Sequence, residues 1–177
     1  MNKFEKKRIE QARRETSLKT MYFNRFLFIR YIMAFFFFTN IYWVCCLIMS
    51  NSIYLLIPGI NLVFMVLAVW EQCKMYSLPI NDAKNTVIAY KIIMGINIFI
   101  IITLITPIFN KLFPFLNNNI KSHMLILGVV FVGIVLSGIS LRKLKMIRDC
   151  TDKQYMYVKQ LEKKFNYKGE NIYGRFK

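Results

Sequence analysis

Four stretches of the chain carry no charge: residues 31–50 (YIMAFFFFTNIYWVCCLIMS), 53–70 (IYLLIPGINLVFMVLAVW), 92–110 (IIMGINIFIIITLITPIFN) and 124–141 (MLILGVVFVGIVLSGISL). A helix rises about 1.5 Å per residue, so crossing a hydrocarbon layer of about 30 Å takes about 20 residues. Each run, with its flanks, has that length. In lipid the backbone polar groups must be paired within the spanning structure, which makes these runs helices rather than isolated strands. The pattern predicts an all-α, polytopic membrane protein with four transmembrane helices, at about 31–50, 53–70, 90–110 and 123–141, bundled over 31–141. A soluble helical core would keep a charged face toward water, and these runs have none. A cleavable leader is not expected, because the first run starts only after residue 30 and lacks a small-x-small site.

Outside the runs the pattern changes period. The N-tail, 1–30, reads as a solvated helix, with Glu10 before Arg13 and Arg14 and Glu15 before Lys19 in the favoured order. It then turns aromatic and basic, and Arg25, Arg30 and Tyr31 are expected to anchor at the headgroup layer, as is Trp70 at the end of the second span. In the C-tail, 142–177, Leu144, Ile147, Tyr155, Val158, Leu161 and Phe165 recur at helical spacing, with Thr151 between them. The spacing predicts one amphipathic helix over 142–165 that continues the fourth span and ends near Gly169. Its apolar face is expected to lie on lipid, on the N-tail, on the second loop or on a partner. Pro58 predicts a local bend in the second span, and the apolar part of the third loop (Phe113 to Leu116) is expected at the far interface.

Charge sets the orientation. The chain has 25 Lys and Arg against 9 Asp and Glu. Nine basic residues lie in 1–30, three between 71 and 91 and eleven from Arg142 onward, but only Lys111 and Lys121 lie in the third loop. Basic residues near spans stay inside, so both termini are expected in the cytoplasm, with a multi-pass protein in a plasma membrane. All nine acidic residues fall on that side too. The tails' positive charge is what anionic membrane lipid attracts, and no nucleic acid is needed to account for it. Abundant Lys, Ile, Asn and Phe point to AT-rich coding and a bacterial source.

Candidate chemistry is sparse. No ionisable residue sits centrally in a span, where proton-coupled transporters and aspartyl proteases carry theirs. Glu71 and Lys91 are expected at the inner interface rather than as a coupling pair. His123 stands near no carboxylate in sequence. Cys45, Cys46, Cys73 and Cys150 form no Cys-x-x-Cys, and neither a P-loop nor a dinucleotide fingerprint is present. Hence no catalytic, cofactor or metal residues are expected. Asn40, Asn61 and Asn97, with the pair Gly133 and Ser137, read as helix-packing positions. These features lead to the expectation of a non-enzymatic membrane protein that binds a protein partner on the cytoplasmic side, through its tails. It would be a membrane-bound inhibitor of a regulator, or an accessory or immunity subunit of a membrane complex, with homo-oligomerisation possible. The alternative is a small oligomeric transporter or channel for a neutral or hydrophobic solute. The three Asn discriminate: convergence on one wet cavity favours transport, and pairing between helices favours packing.

Overall fold

The computed structural model describes residues 3–77, 82–117 and 119–166. Every regular element among them is helical: α1 (Lys3–Asn24), α2 (Leu27–Met49), a 3₁₀ turn (Ile53–Leu55), α3 (Leu56–Ser77), α4 (Lys84–Thr103), α5 (Ile108–Leu112), α6 (Ile120–Arg148) and α7 (Lys153–Asn166). Four of the helices are long and apolar enough to cross a membrane. They are α2, α3 with its 3₁₀ entry, α4 and α6. α2 packs on α3, α3 on α4, α4 on α6, and α6 returns to α2. Their outward faces are apolar, with Phe38, Leu56, Val63, Ile102 and Phe131 all exposed. In water such a surface would forfeit burial energy at every position. The fold is compatible with a multi-pass membrane protein.

The helix ends explain the boundaries. α2 stops at a Schellman turn, in which Ser52 N–H donates to Leu47 O (3.2 Å) and Asn51 N–H to Ile48 O (3.1 Å). Asn51 holds the left-handed conformation at φ 51°, a role asparagine fills with little strain. Pro58 stands near the start of the second span. The α-helix proper begins at Leu56, so proline falls in the first turn, where its missing N–H has no helical acceptor to lose.

The third span departs from its expected limits of 90–110. α4 starts at Lys84 and ends at Thr103. Pro107 disfavours helix at Thr106 and instead opens the short α5. The start of the third loop turns inward, while Pro114 and Phe115 stay exposed. Phe109, Leu112 and Phe113 are buried with Trp43, Leu47, Ile126 and Val130, closing the far end of the bundle. Trp43 stacks on Phe113 at 5.4 Å, and its indole N–H donates to Leu112 O at 3.2 Å. Ser52 Oγ donates to Lys111 O at 3.0 Å. Carbonyls that end α5 without helical partners are thereby satisfied, which lets an apolar loop fold inward.

A second core fills the end from which both tails emerge. It includes Ile29, Met33, Phe36, Met65, Tyr90, Leu144 and Ile147. The packing asparagines lie between the two cores. Along α2, Asn40 separates Phe36 from Trp43, and along α4, Asn97 separates Ile93 from Ile100.

Candidate functional site

The most constrained polar cluster lies where both tails leave the bundle. α1 ends in a turn, with Arg25 N–H on Tyr22 O and Phe26 N–H on Phe23 O. The turn points the Arg25 side chain inward, and the residue is 0% exposed. Facing it is the end of α6, closed by a second Schellman turn: Thr151 N–H donates to Met146 O (3.0 Å) and Cys150 N–H to Ile147 O (3.1 Å). Cys150 takes the left-handed position at φ 55°, which usually belongs to glycine. Asp152 then caps α7, its Oδ2 accepting Tyr155 N–H at 3.1 Å.

Arg25 joins these ends. Its Nε donates to Asp152 Oδ2 at 3.0 Å and its Nη2 to Asp152 Oδ1. Nη2 also donates to Ile147 O at 3.1 Å, a carbonyl at the negative end of α6. The rings of Tyr22 and Tyr155 lie 5.8 and 5.0 Å from the guanidinium carbon. The bidentate fork fixes direction as well as charge. α1 and α7 consequently pack on each other, with Leu18 and Val158 buried.

Two expectations need correction here. The C-tail is not one helix over 142–165, because the turn at 149–152 breaks it and folds α7 back. Arg25 is not a headgroup anchor, since it is buried against a carboxylate. Of the surfaces expected to cover the apolar face (lipid, the N-tail, the second loop or a partner), the chain itself covers most of it, with α7 packed on α1. Leu144 and Ile147 belong to the core, Val158 is 1% exposed, and Tyr155 and Leu161 are half-buried. The Phe165 side chain lies outside the described residues. Among the other expected anchors, Tyr31 and Trp70 are exposed, with Lys74 Nζ 5.5 Å from the Trp70 ring. Arg30 is half-buried, its guanidinium 3.2 Å from the Phe23 ring centre.

Glu71 does more than sit at an interface. Its carboxylate accepts Asn85 N–H (3.0 Å), Thr86 N–H (2.8 Å) and the Thr86 hydroxyl (2.9 Å). Ala83 at the start of α4 supplies no side-chain cap, so a carboxylate from α3 takes that role and also complements the helix dipole. Lys91 is exposed and takes no part. Replacing Glu71 by alanine is expected to lower stability by about 1–2 kcal/mol, read as a fall in the detergent Tm. An unchanged Tm would show the cap to be dispensable.

The asparagines divide into separate contacts. Asn61 Nδ2 donates to Asn40 Oδ1 at 2.9 Å, and Asn40 Nδ2 to Phe36 O at 2.8 Å. Asn97 instead lies against Gly133, so close that a Cβ there would meet Asn97 Nδ2 at 3.0 Å. Ser137 Oγ bonds back to Gly133 O. At the far end His123 packs on Phe109, ring centres 4.2 Å apart, with Nδ1 3.1 Å from Asn119 O. Among the described residues no three His, Cys, Asp or Glu are grouped to hold a metal ion.

One long face of α1 stays open at the tail end, as does the side of α7 that carries Met156 and Tyr157. Ala12, Arg13, Thr16, Ser17 and Thr20 line a shallow groove on α1. Sequence reasoning missed Asp152 and Glu71 as structural acceptors. An Asp directly before the helical run 153–166 is a readable N-cap signal; for Glu71, which acts across a loop, no local signal exists. Comparison with family models, curated proteins and solved structures gave no match.

Proposed function

We propose that the chain is a non-enzymatic, multi-pass plasma-membrane protein whose two tails, both cytoplasmic, act as one platform for a protein partner. The Arg25–Asp152 clamp is the observation that carries this reading. It joins residues 127 apart in sequence into one body at the bundle end. A lipid-absorbed tail would need no such buried pair. The platform leaves α1 outward, with seven Lys and Arg against three Glu along it, which favours a partner surface of net negative charge. An inhibitor that holds a regulator at the membrane and an accessory or immunity subunit of a larger complex both fit this arrangement. The Asn40–Asn61 pair and the Asn97–Gly133 contact speak for helix packing over a polar path.

The test uses the full chain in its own membrane. Alkaline phosphatase joined after Lys177 is expected to be inactive, and joined after residue 118 to be active. A photo-crosslinker at Thr16 is then expected to capture one stoichiometric protein, and one at Leu56 on the outward face of the bundle to capture none. The reverse phosphatase pattern overturns the orientation. Equal crosslinking at both positions, or none at Thr16, overturns the platform.

A further inference from the structure

A groove of about 400 Å³ runs between α2 and α3 on the outside of the bundle. Its walls are Ala34, Phe37, Phe38, Val66 and Val69, and Arg30 stands at its tail end beside Gln72. Nη1 and Nη2 of Arg30 are both buried, and neither has a hydrogen-bond acceptor among the described residues. A guanidinium presents five donors and is never deprotonated in proteins, so a buried one without an acceptor is costly. Stacking on Phe23 covers one face of the guanidinium plane, but hydrogen bonds form in the plane.

We propose that this groove seats one chain of an anionic phospholipid, and that the Arg30 guanidinium turns off Phe23 toward the groove so that the lipid phosphate accepts from it. The reading rests on the membrane assignment of the four helices and not on the protein platform. Length supports it. From Arg30 to Phe38 the helix advances about 12 Å, most of one hydrocarbon leaflet. The groove therefore starts at the headgroup level and continues along an acyl chain. Charge selects the headgroup. Lys74 lies on Trp70 and Lys143 on Phe28 at the same end of the bundle. The nearby carboxylate of Glu71 is occupied by α4. A choline headgroup would bring a second cation among these groups, whereas a glycerol headgroup would not. A small free anion would meet the guanidinium but leave the apolar groove empty.

The test is native mass spectrometry of the purified full chain in mixed micelles with equal palmitoyl-oleoyl phosphatidylglycerol and phosphatidylcholine. The wild-type chain is expected to retain the glycerol lipid over the choline lipid by about fivefold, the factor one membrane-surface cation supplies. Arg30→Gln should bring the ratio to about one, and Arg30→Lys should keep part of the preference. Val66→Phe, which fills the groove but keeps the guanidinium, should reduce bound phosphatidylglycerol, and Arg142→Gln, on the exposed surface, should change nothing. Circular dichroism and monodisperse elution establish folding of each variant. Should Arg30→Gln fail to fold, the Val66→Phe result decides. Retained preference in Arg30→Gln, unchanged lipid in Val66→Phe, an equal loss in Arg142→Gln, or displacement by inorganic phosphate alone would each overturn the site.

Discussion

Replacing Asp152 by alanine should release α7 from the bundle while the four long helices stay in place. The substitution takes the Asp152 carboxylate away from Arg25, 0% exposed, and it removes the N-cap of α7 in the same step. Breaking a buried pair from one side costs about 3–5 kcal/mol, and losing a cap about 1 kcal/mol. One carboxylate serves both roles, so the two figures do not add. The expected readout is amide hydrogen exchange. Residues 153–163 should approach the unprotected rate, and α2, α3, α4 and α6 should keep theirs. Trypsin should gain access to Lys153 and Lys159. Two further variants separate charge from capping. Asp152→Asn keeps a capping oxygen but removes the charge, so it should loosen α7 less than alanine does. Adding Arg25→Met to Asp152→Asn removes the buried cation as well and should restore much of the protection. If Asp152→Ala exchanged like the wild-type chain, the packing of α1 on α7 would hold the tails without the ion pair, and the platform would lose its clamp.

The long helices were legible because charge and apolar residues are segregated along the chain, and lipid permits only one local structure for a single apolar run. Their ends were less so. Asn51 is a recognisable C-cap residue, and the hairpin it closes lies where the sequence puts it. Cys150 performs the same turn without glycine or asparagine, so the apolar period of 142–165 reads straight through a break that the backbone makes. The start of α4 at Lys84 depends on Glu71 reaching across from α3, which no window along the chain contains. Arg25 shows the same limit more sharply. Set among Tyr22, Phe23, Phe26 and Phe28, it has the composition of a headgroup anchor. Its partner stands 127 residues away. Composition describes which medium suits a side chain; only the fold says which acceptor arrives first. Phe113, expected at the far interface, is buried for a similar reason. The donors that let its loop turn inward, Trp43 and Ser52, come from the other hairpin.

Enlarging Gly133 tests whether the centre of the bundle is held by close approach or merely filled. An added Cβ would stand 3.0 Å from Asn97 Nδ2, 3.1 Å from Oδ1 and 3.3 Å from Cγ. Alanine thus requires the Asn97 amide to give by a few tenths of an ångström, and a small loss of about 1 kcal/mol is expected. Leucine cannot be accommodated by that movement. It should push α4 and α6 apart at a loss of about 3 kcal/mol, seen as a large fall in detergent Tm. Gly138 lies five residues on in the same helix and has open space where its Cβ would be. Gly138→Ala should therefore leave Tm level or raise it slightly through helix propensity. The neighbour's identity supplies the last control. Asn97→Ala removes the amide that the new methyl would strike, so it should cancel most of the cost of Gly133→Ala. A double-mutant cycle showing no coupling between the two sites would contradict the contact. A strong loss at Gly138 equal to that at Gly133 would instead mean that any glycine replacement in α6 is harmful, and the small-residue pair at Gly133 and Ser137 would have no special part in bringing α4 and α6 together.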